Sequence, residues 1–190
     1  MKKKLTVALI LSVLAVSVVV AVNIFKQTEN ENRYGNMDGK IQITASFYPY
    51  YFFASEIVGD KAIVYNLTPA GAEPHEYELT ARDNARVEDS RLLIVNGNNF
   101  EGWGKKIRDS LSGSGVKIIA VGESVATGLA AGDPLANDPH VWLSPHLAAK
   151  ELKIIAGAIK EIDPANAAYY ESNAGMMLNK LNALDKKFHA

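Results

Sequence analysis

After Gly39 the hydrophobic positions follow two alternating rhythms. Short, β-prone apolar runs cover Ile41 to Ala45, Ala62 to Leu67, Arg91 to Asn96 and Val116 to Val121, and each is bounded by turn-forming residues. Between them, Tyr50 to Val58, Thr80 to Asp89 and Phe100 to Ser112 place apolar residues at helical spacing, with Gly59-Asp60 and Gly113-Ser114-Gly115 as stops. Regular strand and helix alternation predicts a layered α/β domain with a mainly parallel sheet. Gly122 to Pro139 is rich in small residues and Asp and reads as a loop. Ser144-Pro145 then supplies a cap and a first helical position for a helix from Pro145 to about Ile162. Asp163-Pro164 restarts the chain, and Ala165 to Ala190 reads as one long helix with Tyr169, Met176, Met177, Leu181, Leu184 and Phe188 as its apolar positions.

The amino terminus follows a different rule. Lys2, Lys3 and Lys4 precede an apolar run from Leu5 to Val22 that only Thr6, Ser12 and Ser17 interrupt. Cleavable signals carry an apolar region of about 7 to 15 residues, whereas a spanning helix needs about 17 to 25. The run falls on the spanning side, and Ala21-Val22-Asn23-Ile24-Phe25 offers no small-residue cleavage site. Residues 1–25 are therefore expected to be a signal peptide or signal anchor, with the anchor favoured and the chain from Lys26 onward on the far side of the membrane. Residues 26–40 are polar and Asn-rich, as suits a flexible tether.

Composition narrows the chemistry. The 190 residues are 48% hydrophobic and 22% charged, with Lys+Arg 20 against Asp+Glu 21, so no strong field favours nucleic acid as a partner. Cys is 0, which excludes disulfides, thiolate metal sites, a cysteine nucleophile and lipid attachment through an amino-terminal cysteine. Any metal must rest on His, Asp or Glu. Of the histidines, His75 and His140 lie in loops at the carboxyl ends of the second and fourth strands, the edge where open α/β sheets bind ligands. Pro74 and Pro139 precede them directly and stiffen the backbone before each imidazole. On spacing alone, two separated histidines fit structural loop residues as well as metal ligands. His146, one turn into a helix, and His189, near the last residue, read as surface residues. Glu73, Glu76 and Glu78 read as solvated carboxylates that could also orient His75, and Trp103 and Trp142 read as packing aromatics.

Pro74-His75-Glu76-Tyr77-Glu78 and Asp138-Pro139-His140-Val141-Trp142-Leu143-Ser144-Pro145 resemble the two signatures of the zinc and manganese solute-binding proteins of bacterial ABC importers. Ser46-Phe47-Tyr48-Pro49, Asn96-Gly97 with Glu101-Gly102-Trp103, and Asp163-Pro164-Ala165-Asn166 with Tyr169 resemble further landmarks of that family, in its order. The resemblance covers Ile41 to Ala190. It implies the Rossmann-like amino-terminal lobe of a two-lobe, periplasmic-binding-protein-like fold of the helical-backbone metal-receptor type. Residues 41–164 would form that lobe, and 165–190 the start of the long interlobe helix, with the second lobe absent from this chain. It further implies His75 and His140 as two of four metal ligands, Zn2+ or Mn2+ as cargo, an ABC permease as partner and no catalytic residues. Gly122 to Asn137 lacks the His-rich stretch often found in zinc-specific members. Two other functions compete. One is a membrane-anchored adhesion or interaction module with a metal site. The other is a zinc hydrolase with Glu76 as base, which lacks the second histidine of the helical zincin motif, since Leu79 and Thr80 stand where it would fall.

Overall fold

The computed structural model describes Ser17 and residues 39–97, 100–130 and 132–189. The expected signal or anchor segment and all but the last two residues of the expected tether lie outside the described residues, Ser17 apart. Among the described residues no helix is long and apolar enough to cross a membrane.

Four strands, β1 (Ile41–Ala45), β2 (Ala62–Asn66), β3 (Leu92–Val95) and β4 (Lys117–Ala120), form one sheet in the order β2-β1-β3-β4. All pairs are parallel, with Ile43 opposite Val64 on one side and Leu92 on the other, and Ile94 opposite Ile119. The expected parallel α/β architecture is therefore present, and each strand end falls within two residues of its expected place.

The sheet is covered on both faces, which explains the unbroken apolar run of β3. Its period of two sends Ile43, Ala45, Leu92 and Ile94 to one face and Leu93 and Val95 to the other. The first face is packed by α1 (Tyr48–Val58), α5 (Pro145–Ile162) and α6 (Ala167–Phe188); the second lies against α2 (Ala81–Glu88) and α3 (Gly104–Ser110). Each fully buried Leu or Ile removes enough apolar surface from water to contribute about 1.5–3 kcal/mol. Thr44 is buried at the centre of β1 and meets the Ser90 hydroxyl at 2.6 Å, so its polar atom is not stranded.

Three helices depart from expectation. α1 begins at Tyr48, not Tyr50, because Pro49 fits a first helical turn, where its missing N–H costs nothing. α3 begins at Gly104, not Phe100. The Glu101 carboxylate accepts the backbone N–H groups of Asn96 at 2.7 Å and Gly97 at 3.1 Å, and this folds the chain ahead of Trp103 into a turn. The expected loop from Gly122 contains a short helix, α4 (Val121–Ala126), which buries Val121, Val125 and Ala126. At the carboxyl end Pro164–Asn166 makes a single 3-10 turn before α6 starts.

Candidate metal centre

At its carboxyl edge the sheet changes winding direction between its two central strands: β1 connects outward to β2, and β3 connects the other way to β4. Loops leaving neighbouring strands in opposite directions open a crevice there. Phe47 leaves β1 and Phe100 follows β3, both almost fully buried, and Trp142 joins them from a 3-10 turn at Val141–Leu143. Ring centroids lie 4.8 Å apart for Phe47 and Phe100, 4.6 Å for Phe47 and Trp142 and 5.2 Å for Phe100 and Trp142. The three rings make an apolar floor in the crevice.

Both loop histidines stand on this floor. The His75 ring lies 4.2 Å from Phe100, and the His140 ring 5.3 Å from Trp142. Although 65 residues apart in sequence, their Nε2 atoms approach to 3.2 Å, and both side chains are open to solvent. Two nitrogens bound at about 2.0–2.1 Å to one tetrahedral cation lie about 3.3–3.4 Å apart, so the observed span matches a shared ion.

Asp138 prepares one of the two. Its Oδ1 accepts the His140 backbone N–H at 2.8 Å and lies 2.8 Å from Nδ1 of the same ring. A proton held on Nδ1 by the carboxylate leaves the Nε2 lone pair facing His75, the orientation a metal ligand needs. The two bonds from His140 hold the Asp138 carboxyl below the usual carboxylate range. The flanking glutamates take no such part: Glu73, Glu76 and Glu78 are exposed, and Glu73 accepts only the His75 backbone N–H, at 3.3 Å. His146 is exposed on α5, and His189 hydrogen-bonds the Asp185 carbonyl at 2.9 Å. Trp103 is buried in the second-face cluster. Among the described residues no group of three or more His, Asp or Glu side chains could hold a metal ion. The crevice thus supplies two imidazole donors.

A buried polar chain runs beneath the floor. Asn96, at the end of β3, donates from Nδ2 to the Pro139 carbonyl at 3.1 Å, immediately before His140. Its Oδ1 lies 2.5 Å from the Tyr50 hydroxyl of α1, which lies 2.8 Å from Glu151 Oε1 of α5. Gly122 leaves room for this, since a Cβ there would come within 2.2 Å of Asn96 Oδ1. Sequence reasoning gave no role to Asp138, Asn96, Tyr50 or Glu151. A carboxylate directly before a Pro-His pair, and a Glu on the apolar stripe of a helix, are the signals that point to the first and the last.

An open parallel α/β lobe with convergent side chains at its winding switch defines a class, the ligand-binding lobe. Comparison with known proteins makes it specific: residues 43–190 match the family described as zinc-uptake complex component A, periplasmic, and the chain belongs to that family. The high-affinity zinc uptake system protein ZnuA of Bacillus subtilis is 36% identical over 176 residues, 84% of this chain and 54% of that protein. The Zn(II)-bound ZnuA-like domain of Streptococcus pneumoniae AdcA superposes with a TM-score of 0.69 at 36% identity, over 78% of this chain and 54% of that one. The Mn2+ complex of the solute-binding protein FpvC from Pseudomonas aeruginosa gives 0.65 at 31%, over 76% and 53%. The chain spans about half the length of the curated relative from Bacillus subtilis, which it covers over 54%.

Proposed function

We propose that this chain is the amino-terminal lobe of an extracytoplasmic receptor that captures zinc or manganese and passes it to an ABC permease, with His75 and His140 as two of the metal's ligands. The observation that carries the reading is the 3.2 Å approach of the two Nε2 atoms, with Asp138 fixing the His140 tautomer. Relatives named for zinc uptake and solved with Zn(II) or Mn2+ support it. Residues 41–164 form the lobe and 165–190 the first part of a helix leading to a second lobe, which contributes the other donors. No reaction is involved, and a surface adhesion role would not need the paired imidazoles.

The test is a titration of the full chain in detergent with zinc and with manganese against a competing chelator. Zinc binds the more tightly, because imidazole donors favour it over manganese, and His75→Ala or His140→Ala removes the binding. Unchanged binding in both variants would overturn the assignment of these ligands.

Residues 5–22 tether the lobe to the membrane in this reading, the polar stretch after Lys26 acting as spacer. A mass spectrum of the membrane-associated protein that retains Lys2 to Val22 supports the tether, and one that begins after Val22 sinks it.

A further inference from the structure

Glu151 is completely buried on the inner face of α5, and its Oε2 has no hydrogen-bond partner. Its Oε1 lies 2.8 Å from the Tyr50 hydroxyl, which is also 2.5 Å from Asn96 Oδ1. A tyrosine hydroxyl has one proton for these two contacts. The orientation of Asn96 is fixed from its other side, because Nδ2 faces the carbonyls of Pro139 at 3.1 Å and Gly97 at 3.5 Å, and the flipped amide would turn oxygen against oxygen twice. Tyr50 therefore donates to Asn96, and the remaining contact is satisfied only if the Glu151 carboxyl donates to Tyr50. A neutral carboxyl also tolerates a buried, unpaired Oε2 far better than an ionised one does. Burial pushing this carboxyl up to about 7 agrees with that proton.

We propose that Glu151, carrying a proton, is a positioning residue for the histidine pair: through Tyr50 and Asn96 it holds the Pro139 carbonyl and so aims His140. The proposal rests on His75 and His140 being the metal ligands. It gives capture a dependence on pH that the imidazoles alone do not. Once Glu151 ionises, the carboxylate claims the Tyr50 proton, Asn96 Oδ1 is left facing oxygen lone pairs, and the support under the Pro139-His140 loop is lost. The ionisable groups that face this point are Tyr50 of α1, whose own hydroxyl is raised by burial and by Glu151, and Glu101 beyond it, which acts on Tyr50; the Gly122 amide also donates toward Tyr50. None of these is a cation that would stabilise an ionised Glu151.

Zinc affinity of the full chain in detergent, measured by chelator competition from pH 6 to pH 8.5, tests the proposal in wild type, Glu151→Gln and Tyr50→Phe. Wild type loses about threefold or more in affinity between pH 7 and pH 8, approaching about fivefold if binding demands the proton. Glu151→Gln, whose amide N–H donates to Tyr50 at every pH, holds its affinity flat over that interval. Tyr50→Phe binds more weakly than wild type at pH 7 and is also flat. A readout without metal accompanies this: the His140 backbone amide shift follows a titration near pH 7 in wild type and not in Glu151→Gln. Identical pH courses for wild type and Glu151→Gln in either readout overturn the proposal. If wild type binds no zinc, the ligand assignment fails while the amide shift still decides whether Glu151 governs the His140 loop.

Discussion

Asp138 stands two residues before the imidazole it holds, with Pro139 between them, so one short segment supplies ligand, orienting carboxylate and stiffener together. Replacing Asp138 by Asn keeps the size but removes the charge that fixes the Nδ1 proton. Loss of such an orienting partner lowers metal affinity about 10- to 100-fold. Chelator competition on Asp138→Asn is expected to show a loss in that range, with folding, followed by circular dichroism, unchanged. At this scale the sequence reveals the two histidines, because a Pro-His pair at a strand's carboxyl end is visible as spacing. Their 3.2 Å approach is not visible, since it depends on how two loops fold over Phe47, Phe100 and Trp142. Glu151 is hidden for another reason. It falls among Ala148, Leu152, Ile155 and Ile159 on the buried stripe of its helix, and the partner that makes burial tolerable is Tyr50, 101 residues away.

The elements themselves are legible where their periodicity is sustained. All four strands and the long helices are foreseen, whereas α4 is missed because six residues of Val, Gly, Glu, Ser and Ala carry less than two turns of pattern. α2 shows how an element can steady the loop before it. Thr80 and Asp83 form a reciprocal capping box, and the Tyr77 hydroxyl, two residues after His75, also donates to Asp83 Oδ2 at 2.8 Å. Burial alone would raise the Asp83 carboxyl, but the bonds from Thr80 and Tyr77 and the charge of Arg86 bring it below its ordinary value. Thr80→Ala is expected to cost about 1 kcal/mol in urea unfolding, the ordinary value of an N-cap. A loss near zero would mean that Tyr77 and Arg86 hold the box without the threonine.

Across the whole molecule, α6 packs against the core of the lobe as far as Leu181. Tyr170, Ala174 and Met177 are buried, Asn173 donates to the Ile57 carbonyl at 3.0 Å, and Leu184 and Phe188 stand exposed beyond. Global stability carries the mark of Glu151. Its folded value of about 7 lies above its ordinary 4.5, so its contribution is fully present below pH 4.5 and is lost as pH rises toward 7. That difference corresponds to about 3.5 kcal/mol at ~1.4 kcal/mol per pH unit. Urea unfolding of wild type and Glu151→Gln is therefore expected to diverge between pH 4.5 and pH 7 in favour of the glutamine, and parallel curves would show that the carboxyl keeps its ordinary value. The facing imidazoles have a last consequence. With His140 protonated on Nδ1 toward Asp138, the 3.2 Å contact is a hydrogen bond only if His75 carries its own proton on Nε2. Such a bond is a latch that keeps two loops at coordination span, and a cation that opens it must send that proton to the other ring nitrogen, Nδ1. On the proposed reading, loading and unloading the receptor then switch His75 between its two neutral tautomers.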